Sequence, residues 1–284
     1  MAGSFNTYSD ISGYVNTIWQ DALLVARDNN LMAGLVTTFG DRTGAAVRDL
    51  SEYGTATMNA IGEADDLSGQ AFTPSSLATL TPAEVGAQFF IGDLRVESDP
   101  FGVQSDASME LGQAVGQKIE TDILGNFSSM TGGTVGTAGS VLTWGYFYAM
   151  LSRLRAQNAP LPYRFVCHPH QWHQLGKAVA PGATVTNSPE LQDEVARRFY
   201  VGSVSGVDIY TSANISIDAS DDAYAGMFSP MAIALDMRRA PRLEYERDAS
   251  RRGFELNMTS VYAHGVWRPK FGVQGIYDAA APTT

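Results

Sequence analysis

Cys167, His168, His170 and His173 fall in one short run, CHPHQWH, the densest concentration of chemically versatile side chains in the chain. Imidazole and thiolate groups are the usual ligands of zinc, and a thiol beside an imidazole is the raw material of a cysteine nucleophile. The spacing completes neither arrangement. His168 ends an expected strand and Pro169 turns the chain, so His170 and His173 sit at the start of a helix. No Asp, Glu or second Cys nearby brings the ligand count to three or four. Neighbours on a strand point to opposite faces, so Cys167 and His168 cannot act as a pair, and Cys167 lies in an apolar run that predicts burial. The chain also lacks G-x-S-x-G, H-E-x-x-H and a Walker sequence. The paired acids Asp65-Asp66 and Asp221-Asp222 lie in loop-like settings, where solvated surface is expected rather than acid–base work. No catalytic residue, metal ligand or cofactor site is assigned.

The elements that must position these residues follow from periodicity. Apolar residues at helical spacing over Asp10–Asn30 predict an amphipathic helix. From about Leu50 to Val96 the chain is rich in Gly, Ala, Ser and Thr and poor in bulky apolar residues, which predicts a long loop or hairpin with little core of its own. Pro100 lies near the start of a long helix with Met109, Val115, Ile119, Ile123, Phe127 and Met130 at three- and four-residue steps. TGGTVGTAGS, residues 131–140, reads as a connector and not as a phosphate loop. A helix over Thr143–Gln157, a buried strand over Arg164–His168 and a helix from Pro169 to about Lys177 follow. Ser188-Pro189 caps a further helix, Glu190–Tyr200. After Gly206 the pattern is strand after strand, so the class is mixed α+β.

Composition narrows the function further. The 284 residues are 44% hydrophobic and 17% charged, as in a globular protein, and one cysteine excludes a disulfide framework. No apolar stretch approaches the roughly 20 residues of a membrane span, and the first residues carry neither a basic region nor an apolar run, so no secretory signal is expected. Sequons at Asn126, Asn214 and Asn257 are therefore read as chance matches. The net charge of −11 argues against broad nucleic-acid binding. Residues 1–100 hold thirteen acids and four arginines, whereas Met237–Arg252 packs Arg238, Arg239, Arg242, Arg247, Arg251 and Arg252 among three acids. Two readings stay open for this cluster: a solvated strand pair with internal ion pairs, or a docking surface for a carboxylate-rich partner.

The sum of these elements resembles the major capsid protein of tailed bacteriophages, with the Hong Kong 97-type fold. SDPFGVQSDASMELGQAVGQKIETDIL looks like that family's spine helix. LPYRFVCHPHQWHQLGK looks like the strand-to-helix element of its axial domain, and RAPRLEYERDASRRGFELNMTSVYAHGVWRPKFGVQGI is similar to its peripheral-domain strands running into a final axial-domain strand.

The resemblance implies an N-terminal arm over residues 1–35, a strand and extended β-hairpin loop over 36–95, a peripheral domain from 96–135 and 238–266, and an α/β axial domain from 136–237 and 267–284. It further implies a structural, non-enzymatic protein that forms pentamers and hexamers of an icosahedral head around double-stranded DNA. Such a protein would assemble in the host cytoplasm without a membrane and without sequence-specific DNA contacts. A separate scaffolding protein, a portal and a cement protein are the implied partners. The family's loop-lysine crosslink is not expected, since the only lysines are Lys118, Lys177 and Lys270. On this reading the acidic loop, with Asp49, Glu52, Glu63, Asp65 and Asp66, docks near the 238–252 arginines of a neighbour. An encapsulin-like nanocompartment shell is the alternative of the same fold, and a metal-dependent hydrolase using His168, His170 and His173 is the one from another class.

Overall fold

The computed structural model describes residues 31–41, 46–63, 66, 69–98, 102–177 and 203–283. The helices expected at 10–30 and 190–200, and the positions Asp65 and Pro100, lie outside them.

Two sheets organise the described chain. In the first, β1 (Thr37–Phe39), β10 (Ile233–Asp248), β11 (Gly253–Val266) and β4 (Ala83–Gly92) run in the order β1-β10-β11-β4. β10 and β11 form the long hairpin that carries the arginines, with register shifts at Met237–Arg239 and Arg239–Arg242. Pro241 falls in the second shift, where a strand tolerates a residue without an N–H. In the second sheet the order is β5-β12-β9-β6-β8-β7, from β5 (Thr134–Val135), β12 (Gly272–Asp278), β9 (Asp222–Phe228), β6 (Tyr163–Cys167), β8 (Val207–Thr211) and β7 (Ser203–Val204). A separate two-stranded hairpin joins β2 (Arg48–Tyr53) to β3 (Pro74–Leu80).

The long helix α3 (Val103–Leu124) packs on the first sheet, after α1 (Met32–Leu35) and the short α2 (Asp93–Ser98). Gly102 precedes it at φ 88°, a left-handed conformation that costs glycine little. Its buried face is Leu111, Val115, Ile119 and Ile123, four residues apart. Met109, expected on that face, is 48% exposed, because it lies two positions away from this row. The helix runs through a 3₁₀ turn, Gly125–Ser129, that delivers Phe127 into the core. Phe127 is fully buried and its ring lies 5.7 Å from that of Phe228 on β9. Gly226 makes this approach workable, since a Cβ there would stand 2.9 Å from the Phe127 ring.

The second sheet buries Phe165, Val207, Ile209, Met227 and Tyr277 against α4 (Trp144–Ala156), whose Phe147, Met150, Leu151 and Leu154 form the inward face that the spacing predicts. Thr143 caps this helix, its Oγ1 accepting the Tyr146 N–H at 3.4 Å. α5 (Pro169–Lys177) follows β6 as expected.

The stretch expected as one long loop is divided. Leu50 and Leu80 are buried at the hairpin root with Ala234 and Ala263, and after Thr81-Pro82 the chain enters β4, which pairs along its whole length with β11. Residues 83–92 therefore belong to the first sheet, and the hairpin proper occupies 48–80.

Candidate assembly surfaces

The hairpin is pinned where it leaves the body. Asp236, fully buried on β10, holds Arg48 Nε at 3.2 Å and Arg238 Nε at 2.8 Å on the same oxygen, Oδ2. Arg48 also bonds Asp41 at 2.6 Å and lies 4.7 Å over the Phe39 ring, which packs edge-on against Trp267. Burial alone would lower the Arg48 pKa, but its bonds to Asp236 and Asp41 outweigh that and raise it. The side chains of Arg48 and Arg238 are only 12% and 15% exposed, so this cluster rests on mutual compensation of desolvated charge. Asp236, Arg48 and Asp41 were invisible to spacing arguments, although an acid inside the apolar strand MAIALDM was the signal that could have found the first.

Further along β10 and β11 most arginines are engaged within the subunit. Arg239 pairs with Glu84 on β4 and donates to Thr259 Oγ1 at 3.2 Å. Arg242 meets Glu244 at 2.6 Å, and Arg251 meets Glu255 at 3.2 Å while lying 5.2 Å over the Phe90 ring. Arg247 grips Asp93 with both guanidinium nitrogens, the Nη2–Oδ2 bond being 2.7 Å, and these bonds hold the Asp93 carboxyl below its usual range. The Arg252 side chain makes no ion pair with another described residue. The internal-ion-pair reading thus accounts for five of the six arginines.

On the hairpin, Asp49 accepts the Thr79 hydroxyl at 2.7 Å, Glu52 is half-buried, and Glu63 and Asp66 are exposed. Beyond the β2–β3 ladder two further contacts tie the arms together. The Gln70 side chain imitates a peptide group, its Oε1 accepting the Thr57 N–H at 2.9 Å and its Nε2 donating to the Thr57 carbonyl at 2.6 Å. The Tyr53 and Phe72 rings stack 4.6 Å apart. These two rings and Met58 and Ile61 are all more than half exposed, an unusual amount of apolar surface for so thin an element.

The histidine run does structural work. The His168 N–H donates to Gln171 Oε1 at 3.2 Å, and His168 Nδ1 accepts the His170 N–H at 3.2 Å. Gln171, fully buried, donates to the carbonyls of Ala223 and Tyr277 and so ties α5 to β9 and β12. Among the described residues no group of three or more His, Cys, Asp and Glu side chains is placed to hold a metal. Burial pushes the Cys167 thiol far above its ordinary range, which makes it a poor nucleophile. A cavity of about 190 Å³ lies between the C-terminal end of α3 and residues 214–216, lined by Leu124, Ile215 and Tyr224 among others.

His264 supplies a pH dependence. Asn126 Nδ2 donates to the Asp122 and Ile123 carbonyls at 3.0 and 3.1 Å, which orients its amide so that the same nitrogen faces His264 Nδ1 at 3.0 Å. The ring nitrogen must therefore accept, as neutral imidazole does. Burial pulls the His264 pKa below 6.5, against the pull of Asp122 and together with Lys118. A base whose folded pKa is depressed contributes stability that is complete above its unfolded value and declines as pH falls through it. The subunit should lose stability as pH falls through the ordinary imidazole value of 6.5, and His264→Gln should flatten that slope in urea unfolding; an unchanged slope would count against it.

Two packed sheets, a long helix across the first of them and a projecting hairpin define the Hong Kong 97-type capsid fold. The capsid of cyanophage P-SCSP1u matches at a TM-score of 0.71 and 15% identity, covering 91% of each chain. The Mycobacterium phage Che8 structure matches at 0.72 and 16%, covering 92% of this chain and 95% of that one. The holo-SrpI encapsulin complex of Synechococcus elongatus PCC 7942 matches at 0.66 and 11%, covering 100% and 95%. No curated protein matches the sequence. The phage capsid protein family profile matches residues 76–275, and the chain belongs to that family. It is a structural protein of a phage capsid shell.

Proposed function

We propose that copies of this chain close into pentamers and hexamers of an icosahedral head around double-stranded DNA, as a major capsid protein without enzymatic activity. The observation that carries this reading is the hairpin. It projects exposed aromatic and aliphatic side chains that no other described residue covers, and a two-stranded element of this kind gains stability from further packing. Repetition of modest contacts under closed symmetry supplies that packing. The first sheet with α3 serves as the peripheral domain, the second as the axial domain, and residues 1–35 as an arm across neighbours. Assembly takes place in the host cytoplasm, with a separate scaffolding protein, a portal and, in the absence of a loop lysine, a cement protein as partners. A net charge of −11 suits a wall that must release its DNA.

The acidic hairpin residues Asp49, Glu52, Glu63, Asp65 and Asp66 then face the neighbour's Arg238–Arg252 segment, where Arg252 is the arginine without an internal ion pair among the described residues. Reversing Arg247, Arg251 and Arg252 to Glu should abolish shells while leaving a folded subunit, because the internal pairs lost are solvent-exposed ones of small worth. Normal shells from this triple variant, seen by negative-stain imaging, would refute the electrostatic contact. The likeness to an encapsulin favours one second reading, a nanocompartment. Nuclease-protected DNA inside native particles decides for the phage head, and packaged protein for the alternative.

A further inference from the structure

The second sheet is electrically polarised along its strands. At one end, where β9 begins and β12 finishes, Asp222 stands opposite Asp278, the Asp222 N–H donates to Asp218 Oδ1 at 2.9 Å, and the Asp221 carbonyl accepts the Ala279 N–H at 2.6 Å. The opposite end, where Phe228 stands opposite Gly272, is about 20 Å away along β12. Its surface is built mainly from two stretches without a single acid, the residues between Asp122 and Glu190 and those between Glu255 and Asp278. Such runs are unexpected in a chain of net charge −11.

Arg153, Arg155, Arg268 and Lys270 gather at that end. The Gly132 N–H donates to the Pro269 and Gly272 carbonyls at 3.0 and 2.9 Å, so the turn before β5 lies against the connection that carries Arg268 and Lys270. Arg153, in the last turn of α4, reaches the same place, since a Cβ at Gly133 would collide with its guanidinium. Arg155 Nη2 donates to the Ser205 carbonyl at 3.3 Å, just ahead of β8. From β12 through β9 and β6 to β8 is three strand spacings, which makes the row about 14 Å wide. Arg153, Arg155 and Lys270 are exposed, and none of the four side chains forms an ion pair with another described residue. Arg268 lies 5.1 Å over the Trp267 ring and 5.6 Å over that of Phe271, with its Nε buried and without a hydrogen-bond partner. The described acid at this end of the strands, Asp208, stands beside Arg164, and strand alternation turns both away from the face that packs on α4. The helix dipole accounts for arginines in the last turn of α4, but not for Arg268 and Lys270 on a separate connection.

We infer that this end of the second sheet binds the phosphate backbone of duplex DNA without reading its sequence. The choice of partner rests on the shell reading, in which an enclosed duplex is the polyanion that such a surface meets. Guanidinium forks match phosphate oxygens, and a duplex presents one negative charge for roughly every 1.7 Å of its axis, so a row this wide meets several phosphates at once. A patch this small on a chain of net charge −11 holds the duplex weakly and leaves it free to exit.

The test is fluorescence anisotropy of a labelled mixed-sequence DNA duplex titrated with the full, unassembled chain at several salt concentrations. Arg153→Gln with Arg155→Gln and Lys270→Gln should weaken binding by about tenfold or more and lower the salt slope by about two to three, at roughly 0.9 per phosphate contact. Arg95→Gln with Lys118→Gln and Arg242→Gln removes the same charge from elsewhere and should leave both close to wild type. All six side chains are exposed, so the unfolding curves of both variants should match the wild type. An equal loss from the two triple variants, or no binding by the wild-type chain at low salt, would overturn the site. Polyglutamate that displaces the chain as well as unlabelled duplex does, charge for charge, would assign the surface to an acidic protein segment and also overturn it. None of these outcomes touches the shell reading, because the chain is unassembled. A wild-type chain that binds duplex through these residues yet forms no closed particles would overturn the shell reading and leave the DNA-binding surface standing.

Discussion

Asp236→Ala should destabilise the subunit by about 3–5 kcal/mol, read as a shift in urea unfolding, because it removes the fully buried carboxylate that Arg48 and Arg238 share and leaves Arg48 with its exposed partner Asp41. The carboxylate has no solvent to fall back on and its partners have little: Asp236 is fully buried, with Arg48 and Arg238 only slightly exposed. Because Arg48 opens β2, the same variant should also loosen the hairpin root. Proteolysis should then cut the hairpin earlier than the β10–β11 pair. Asp236→Asn keeps the shape and one acceptor, so a smaller loss is expected. A loss below about 1 kcal/mol for the alanine variant would mean that the charges find water, and the buried clamp would have to be abandoned.

Phe127→Ala should cost a similar amount, about 3–5 kcal/mol, by leaving a cavity where the 3₁₀ turn after α3 meets the second sheet. The ring is fully buried against Phe228 and over Gly226, and the backbone around Gly226 cannot collapse inward to fill the space, since β9 is held between β12 and β6. The effect should be global, because this side chain joins the helix of one sheet to the strands of the other. Thermal unfolding measures it. A single transition shifted downward is expected, whereas two separated transitions would show that the two sheets unfold independently.

How much of this was legible in the residues differs by element. The strands after Gly206 and the helix Trp144–Ala156 announce themselves through regular apolar spacing, and both stand as expected. The long helix was also legible, but its inward row was misjudged at Met109, because several three- and four-residue steps fit an apolar helix and only packing selects Leu111. β4 was hidden within the Gly, Ala and Ser-rich stretch: its alternation is weak because both faces at Phe89 and Phe90 are partly open. For the arginines, the cluster was visible but its partners were not. Asp93 and Glu84 lie 154 and 155 residues from Arg247 and Arg239, a separation that local pattern cannot bridge. The histidine run shows the converse. Its density suggested chemistry, and the backbone bonds of His168 and Gln171 explain it as the corner between β6 and α5.

The most direct test of the shell is sedimentation velocity with negative-stain imaging of the full chain co-expressed with its neighbouring genes. Closed particles sedimenting far beyond a 30.5 kDa species are the expected result. A folded monomer or dimer, with every neighbouring gene present, would contradict it.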